Sequence, residues 1–107
     1  MSETVKQLEP LVVTLENFKP RQRKAVLEGM DQKYIRGISE VALNIVKNSV
    51  SLSPEELKTC HRWRKSLKLL ALKRFPVKEK RRLLQKGGCF GAFLPIIVSI
   101  VRHLRDG

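Results

Sequence analysis

The chain has 107 residues, with 22 Lys and Arg against 10 Asp and Glu, which gives a formal net charge of +12. A chain of this length buries only about 60–65% of its unfolded surface, so we expect one small domain of marginal stability without a partner. The modest glycine and proline content excludes collagen-like and fully disordered proteins. Two cysteines are too few for a disulfide scaffold. The first nine residues hold two acids and no apolar run, which predicts an intracellular protein without a secretory signal.

Helical periodicity dominates the first 30 residues, and no stretch alternates apolar and polar residues as a hairpin strand would. In the segment 4–17, apolar residues recur at helical spacing, and Pro10 would confine the regular helix to the residues after it. Pro20 opens a second helix that ends near Gly29. We expect the buried residues of these two helices to be Leu8, Leu11, Val12 and Leu15, followed by Ala25, Val26 and Met30.

The third helix has the most regular apolar pattern and is expected to be the central core helix. Asp31 caps its start, and its end falls at Asn48 and the serine-rich stretch 49–51. Its predicted buried side is formed by Tyr34, Ile35, Ile38, Val41, Ala42, Ile45 and Val46. The next helix begins with a capping box, in which Ser53 precedes Pro54 and Glu56 follows three residues after the serine.

Two basic helices follow, one from Pro54 to about Arg74 and a shorter one from Pro76 to Lys86. The residue before a proline avoids the α conformation, so the break is expected at Phe75. The predicted inward residues are Leu57, Cys60, Leu67, Leu70 and Ala71 in the first helix, and Val77, Leu83 and Leu84 in the second. We therefore predict an all-α protein, a small bundle of about four to five helices with a C-terminal apolar helix or tail.

The positive charge is concentrated in one part of the chain. Three segments are distinguished: a helical half at 1–53 with little net charge, a basic helical pair at 54–88 with a net charge of +9, and an apolar segment at 89–107. A field of this strength attracts polyanions, because each neutralised phosphate releases condensed counterions. The candidate phosphate-binding residues are Lys58, Arg62, Arg64, Lys65, Lys68, Lys73, Arg74, Lys78, Lys80, Arg81, Arg82 and Lys86.

Contact with phosphates is favoured over reading of bases. Two helices joined by a short turn resemble a helix-turn-helix, but neither is rich in the Asn, Gln and Ser side chains that read base edges. Trp63 lies between Arg62 and Arg64, and two interpretations of it are open. It stacks on a base or a membrane interface, or it is a half-buried aromatic residue between helices.

The segment 89–101 contains no charged residue. Thirteen residues interrupted by Pro95 are too short for an ordinary transmembrane helix, which needs about 20 apolar residues. The segment either completes the core of a small domain or remains exposed for a membrane or a protein partner, and both alternatives are open. The apolar residues concerned are Phe90, Phe93, Leu94, Ile97 and Val98.

No catalytic or metal-binding constellation is recognisable, so we predict a protein that is not an enzyme and has no cofactor. Cys60 and His61 are adjacent, and neighbouring residues on a helix point about 100° apart. A zinc site requires four ligands with paired spacing, whereas Cys60, His61, Cys89 and His103 are scattered.

The stretch 83–97, in which a basic region meets Gly87-Gly88 and then an apolar tail with Leu94-Pro95, resembles the end of the adenovirus core protein mu precursor. The order of the whole chain is similar to that of small basic proteins from Polinton or Maverick elements and from adintoviruses. In these proteins a helical half, a Leu-Ser-Pro cap like that at 52–54, a basic helical pair and a Lys-Gly-Gly-Phe-like junction follow one another.

The resemblance implies a DNA-condensing protein of a virion core whose precursor is cut by a viral cysteine protease beside Gly-Gly. The implied cleavage site is Gly87, Gly88 and Cys89, with the cut after Gly88. Gln85 departs from the Met, Ile or Leu that the family has four residues before the cut. A second departure is that mature mu is almost purely arginine-rich, whereas this chain has a helical domain before its basic part.

The leading prediction is therefore a nucleic-acid-binding protein of the virion and host nucleus, or an intracellular one if it is not viral. Its expected partner is double-stranded DNA bound without sequence specificity. The alternative is a membrane-active or capsid-docking minor virion protein that acts through the apolar segment.

Overall fold

The predicted helix starts at Asp31 and Ser53 are confirmed by the capping hydrogen bonds that their side chains make. The carboxylate of Asp31 accepts from the amide of Lys33 at 2.9 Å. The hydroxyl of Ser53 accepts from the amide of Glu56 at 3.2 Å, and the Glu56 carboxylate accepts from the amide of Ser53 at 2.8 Å. This reciprocal pair satisfies amides that a helix start otherwise leaves without partners.

The helix that begins after Asp31 ends in a Schellman motif, as the asparagine at its end suggests. Asn48 has a φ of 58°, in the left-handed region that Asn tolerates better than most residues. Its amide donates to the carbonyl of Ile45 at 3.1 Å, and the amide of Ser49 donates to the carbonyl of Asn44 at 2.9 Å. These two bonds occupy carbonyls of the last turn and stop the helix.

The computed structural model describes residues 3–86 and 88–106, and within these residues it is helical without a strand. The all-α prediction is confirmed, with more helices than the four to five expected. The helices are α1 (Glu3–Lys6), α2 (Glu9–Glu16), α3 (Pro20–Gly29), α4 (Gln32–Val46), α5 (Pro54–Arg62), α6 (Arg64–Ala71), α7 (Val77–Lys86) and α8 (Cys89–Asp106).

The number of helices is higher than predicted because the structure has a short helix before α2 and a break inside the predicted long basic helix. Pro10 lies in the first turn of α2, where its missing N–H is tolerated, so this helix begins next to the proline as predicted, and the short helix α1 precedes it. The long basic helix is divided at Trp63 into α5 and α6. It also ends at Ala71 rather than near Arg74, so the turn before Pro76 is longer than predicted.

Some predicted core residues face the solvent. On α3, Ala25 is exposed and Leu27 is buried, because this face of α3 packs against α7. Val46, at the last turn of α4, is 41% exposed, and Leu57, in the first turns of α5, is 51% exposed. Both lie at helix ends, where packing on the neighbouring helix is incomplete.

The core is built around two helices, α4 and α8. As expected for a central core helix, α4 packs against α6, α1 and α7. α8 packs mainly against α2 and also against α1, α5 and α7, while α3 packs against α7. One cluster of buried residues draws on the segments 1–53, 54–88 and 89–107 together. The radius of gyration of 12.5 Å is close to the roughly 13 Å expected for one domain of this length.

Of the two alternatives for the apolar segment, the structure shows burial. Phe90, Phe93, Leu94, Ile97 and Val98 are all at most 4% exposed. The helix continues through Pro95, which is itself exposed. In total, α8 supplies nine of the 25 buried apolar residues among those described, so it is a main part of the core rather than an appended tail.

Leu94→Ala tests this role of α8. Leu94 has no exposed surface, so its truncation should lower the free energy of unfolding by about 2–5 kcal/mol through lost burial and a residual cavity. Chemical denaturation followed by circular dichroism measures the change. Ser99→Ala, at an exposed position of the same helix, is the control and should stay within about 0.5 kcal/mol of the parent. A loss below about 1 kcal/mol for Leu94→Ala would show that α8 is not integral to the fold.

Candidate nucleic-acid interface

The outer side of α5 and α6 carries a row of cations. Their apolar side is buried, with Cys60 on α5 and Leu67, Leu70 and Ala71 on α6. The opposite side is exposed, and Lys58, Arg62, Lys65 and Lys68 recur along it at spacings of three and four residues, which places them on one face of nearly continuous helices. Arg64 is also exposed but lies outside this spacing.

A second row of cations lies on the following turn and on α7. Lys73 and Arg74 are exposed on the turn between α6 and α7. Lys78, Arg82 and Lys86 are exposed at intervals of four residues along α7. Arg82 pairs with Glu79 at 3.3 Å, but a surface pair of this kind contributes little and leaves the guanidinium accessible.

Lys80 does not belong to this surface. It is 4% exposed, and its ammonium donates to the hydroxyl of Ser39 at 2.6 Å. That hydroxyl donates in turn to the carbonyl of Leu70 at 2.5 Å. The chain of two hydrogen bonds joins α7, α4 and α6, and burial lowers the pKa of Lys80 below 10.5. The predicted phosphate contact at Lys80 is therefore wrong, because its ammonium is used inside the fold.

Arg81 also makes hydrogen bonds within the fold. Its guanidinium donates to the carbonyls of Leu27 and Met30, at 2.5 Å and 2.7 Å. These carbonyls lie at the end of α3, where the last turn has no helical partners and attracts positive charge. Arg81 is half-buried and holds α7 against α3. Ten of the twelve predicted cations are therefore exposed, and Lys80 and Arg81 are structural.

Further exposed cations lie at the start of α3. The net charge of residues 1–30 did not indicate them. Lys19, Arg21 and Lys24 are exposed. The side-chain amide of Gln85 on α7 donates to the carbonyl of Lys24 at 3.3 Å, so α3 and α7 lie side by side here. The signal was present in the run Lys-Pro-Arg-Gln-Arg-Lys at 19–24, but the acids elsewhere in residues 1–30 reduced the net charge of that segment to +1.

The implied cleavage site is only partly accessible. Gly87 lies outside the described residues. Gly88 is exposed, and a Cβ placed on it would lie 3.7 Å from the ring of Trp63. Cys89 is 1% exposed and begins α8. The peptide bond after Gly88 therefore joins a surface residue to a buried one.

The two thiols are enclosed by the core. Burial raises the pKa of Cys60, and the nearby carboxylate of Glu56 raises it further. Burial also raises the pKa of Cys89, although hydrogen bonds with the Ser66 side chain and the Phe90 backbone offset part of this. A raised pKa keeps a thiol protonated and weakens it as a nucleophile. In the part of the chain that the structure describes, no three His, Cys, Asp or Glu residues are grouped to hold a metal ion.

Among residues 3–86 and 88–106, no helix alone is long and apolar enough to cross a membrane. One pair bent by 106°, Val77–Lys86 with Cys89–Leu104, meets the criterion of length and composition when taken together.

In the comparison with known proteins, no family model, curated protein or solved structure matches this chain.

Lys80→Met tests the buried ammonium through the pH dependence of stability. Because the pKa of Lys80 is lower in the folded chain than its unfolded value of 10.5, the unfolded chain binds more protons between those two values. The contribution of Lys80 to the free energy of unfolding thus rises with pH across that interval. Below its folded-state pKa, Lys80 is charged in the folded chain, and the desolvation of that buried charge lowers the stability in full. At pH 7 the methionine variant should therefore be as stable as the parent or more stable.

Urea unfolding of both chains between pH 7 and pH 10.5 measures the difference in stability. We expect the advantage of Lys80→Met to be largest at pH 7 and to shrink towards pH 10.5. Cys60 and Cys89 act in the opposite direction above pH 9, since their raised pKa values lower stability as the pH increases. They are present in both chains and cancel in the difference. A difference independent of pH would mean that Lys80 is not desolvated.

Proposed function

We propose that the protein binds nucleic acid by contacting phosphates through the exposed cations of residues 54–88, as a condensing protein of virion-core type. The observation that carries the proposal is the exposure of ten cations in this segment against three acids, Glu55, Glu56 and Glu79. The excess leaves a strong positive field on the surfaces of α5, α6 and α7. Phosphates of a nucleic acid are the polyanion best suited to neutralise such a field.

The proposed binding is independent of sequence. The exposed faces of α5, α6 and α7 present mainly Lys and Arg, which bind phosphate oxygens as readily as base edges. Double-stranded DNA is the proposed principal partner. The setting in a virion and host nucleus, like the processing at Gly88, rests on the resemblance to the mu precursor and to the Polinton and adintovirus proteins.

The alternative through the apolar segment has less support. A membrane or capsid contact by Phe90, Phe93 or Leu94 requires α8 to leave the core, because all three are at most 3% exposed. We therefore do not favour a membrane-active or capsid-docking protein that acts through this helix.

Lys68→Met and Lys80→Met together test the proposed interface. Both remove one positive charge, but only Lys68 is exposed. In mobility-shift titrations of a random duplex across a salt series, log affinity should fall with log salt by about 0.9 for each neutralised phosphate. Lys68→Met should reduce the slope by about 1 and weaken binding at low salt. Lys80→Met should leave slope and affinity unchanged.

Two results would contradict the proposal. Equal effects of the two variants would show that total charge matters rather than the exposed surface. A strong preference for one duplex, combined with a shallow salt slope, would favour a sequence-reading protein instead.

Processing at Gly88 has a structural consequence that is testable. If the matching viral cysteine protease cuts there, the two pieces should remain associated, because α8 packs against α2 and supplies much of the buried apolar surface. Size-exclusion chromatography of the cut protein, followed by denaturing electrophoresis, should show both pieces in one peak. An intact chain after incubation would remove the processing proposal, and separate peaks would contradict the association of the pieces.

A further inference from the structure

Trp63 lies at the break between α5 and α6, within the row of exposed cations. Its backbone angles, φ −106° and ψ 26°, end α5 and begin α6. Its amide still donates to the carbonyl of Thr59 at 3.1 Å, and its carbonyl accepts from the amide of Leu67 at 3.0 Å. The two helices are therefore almost continuous. No Pro or Gly lies between residues 55 and 71 to explain the break by local sequence.

The indole ring of Trp63 packs against the core and lies beside Gly88. The outer edge of the ring, atoms Cζ2 and Cη2, lies 3.7 Å from the position that a Cβ of Gly88 would take. Trp63 is half-buried in this position. One edge of the ring thus lies near Gly88, while part of the side chain remains accessible.

A surface depression of about 340 Å³ opens beside the ring. Its lining is one aromatic side chain, three cations and one hydroxyl, with no carboxylate: Arg62, Trp63, Arg64, Lys65 and Ser66. The guanidinium of Arg64 donates to the carbonyl of His61 at 3.0 Å and is directed to the end of α5. Arg62 and Lys65 are both exposed. Within the described part of the chain, neither side chain donates to a backbone carbonyl as Arg64 does.

Among nucleic acids, an aromatic ring beside cations is suited to a single strand rather than to a duplex. In a duplex, each base is stacked and paired and does not reach a protein ring. In a single strand, an unpaired base stacks on an aromatic side chain while its phosphate binds Lys or Arg. This combination recurs in proteins that bind single strands without reading their sequence.

We propose that the depression binds one nucleotide of an unpaired strand, with its base stacked on Trp63 and its phosphate bound by Arg62 and Lys65. This inference rests on the proposed function and deepens it. The exposed cations bind the phosphates of duplex DNA, and this depression adds a second mode of binding, to single-stranded segments.

The chain has a single tryptophan, so its intrinsic fluorescence reports on this depression alone. We would titrate the full chain with an oligothymidine of about 12 nucleotides and with a duplex of equal length. Tryptophan emission should be quenched by the single strand and should change little with the duplex. Binding itself is followed independently by the anisotropy of a label on the nucleic acid.

Variants separate stacking from charge. Trp63→Leu should weaken binding of the single strand about tenfold and leave duplex binding nearly unchanged. Trp63→Phe retains an aromatic ring and should restore most of the affinity. If the leucine variant does not fold, the binding of Trp63→Phe and the tryptophan emission of the parent still test the role of the aromatic ring. Leu69→Ala, at an exposed position of α6, is the matched control and should bind both nucleic acids like the parent.

The outcomes distinguish the two proposals. If the single strand binds with unchanged emission, or if Trp63→Leu weakens both nucleic acids equally, the stacking site is overturned while phosphate binding stands. If neither nucleic acid binds in a salt-dependent manner, the proposed function itself fails.

Discussion

Burial of α8 is the constraint on which the rest of the structure depends. Its apolar side is enclosed by α2, with α1, α5 and α7 adjoining. α8 supplies nine of the 25 buried apolar residues among those described, and each large side chain withdrawn from water contributes about 1.5–3 kcal/mol. The basic helices α5 and α7 pack on α8, and α6 packs on α4, so the positions of the exposed cations follow from the packing on these two helices.

The cations divide into two groups with different roles. Lys80 and Arg81 are used within the fold, where each bonds to neighbouring helices and so fixes how those helices pack. Arg23 acts in the same way, since its guanidinium donates to the carbonyl of Leu15 near the end of α2 at 3.0 Å. The exposed cations bond to few groups of the chain and give it a surface suited to an external polyanion. Net charge alone does not separate these groups, because burial decides which charges are available.

The sequence was informative where short-range chemistry decides the structure. The cap at Asp31, the capping box at Ser53 and the end of α4 at Asn48 each depend on a few neighbouring residues, and all three are confirmed. The position of the Trp63 ring beside Gly88 and the hydrogen bond of Lys80 to Ser39 join residues that lie 25 and 41 positions apart in the sequence. No local pattern contains such information. Composition indicated the basic segment correctly but did not show which of its cations reach the surface.

The same charge that favours nucleic acid acts against the folded chain. Bringing ten exposed cations of one segment together on a domain of 12.5 Å radius of gyration increases their mutual repulsion relative to the extended chain. The opposing stabilisation comes from the core around α8, which is small. A bound polyanion removes the repulsion, and a ligand that binds only the folded chain adds about 2.7 kcal/mol of stability at a concentration one hundred times its dissociation constant. Under the proposed function, binding and folding are coupled: phosphate contacts at the surface of α5, α6 and α7 would stabilise the packing of α5 and α7 on α8 and of α6 on α4, and that packing presents the cations to the phosphates.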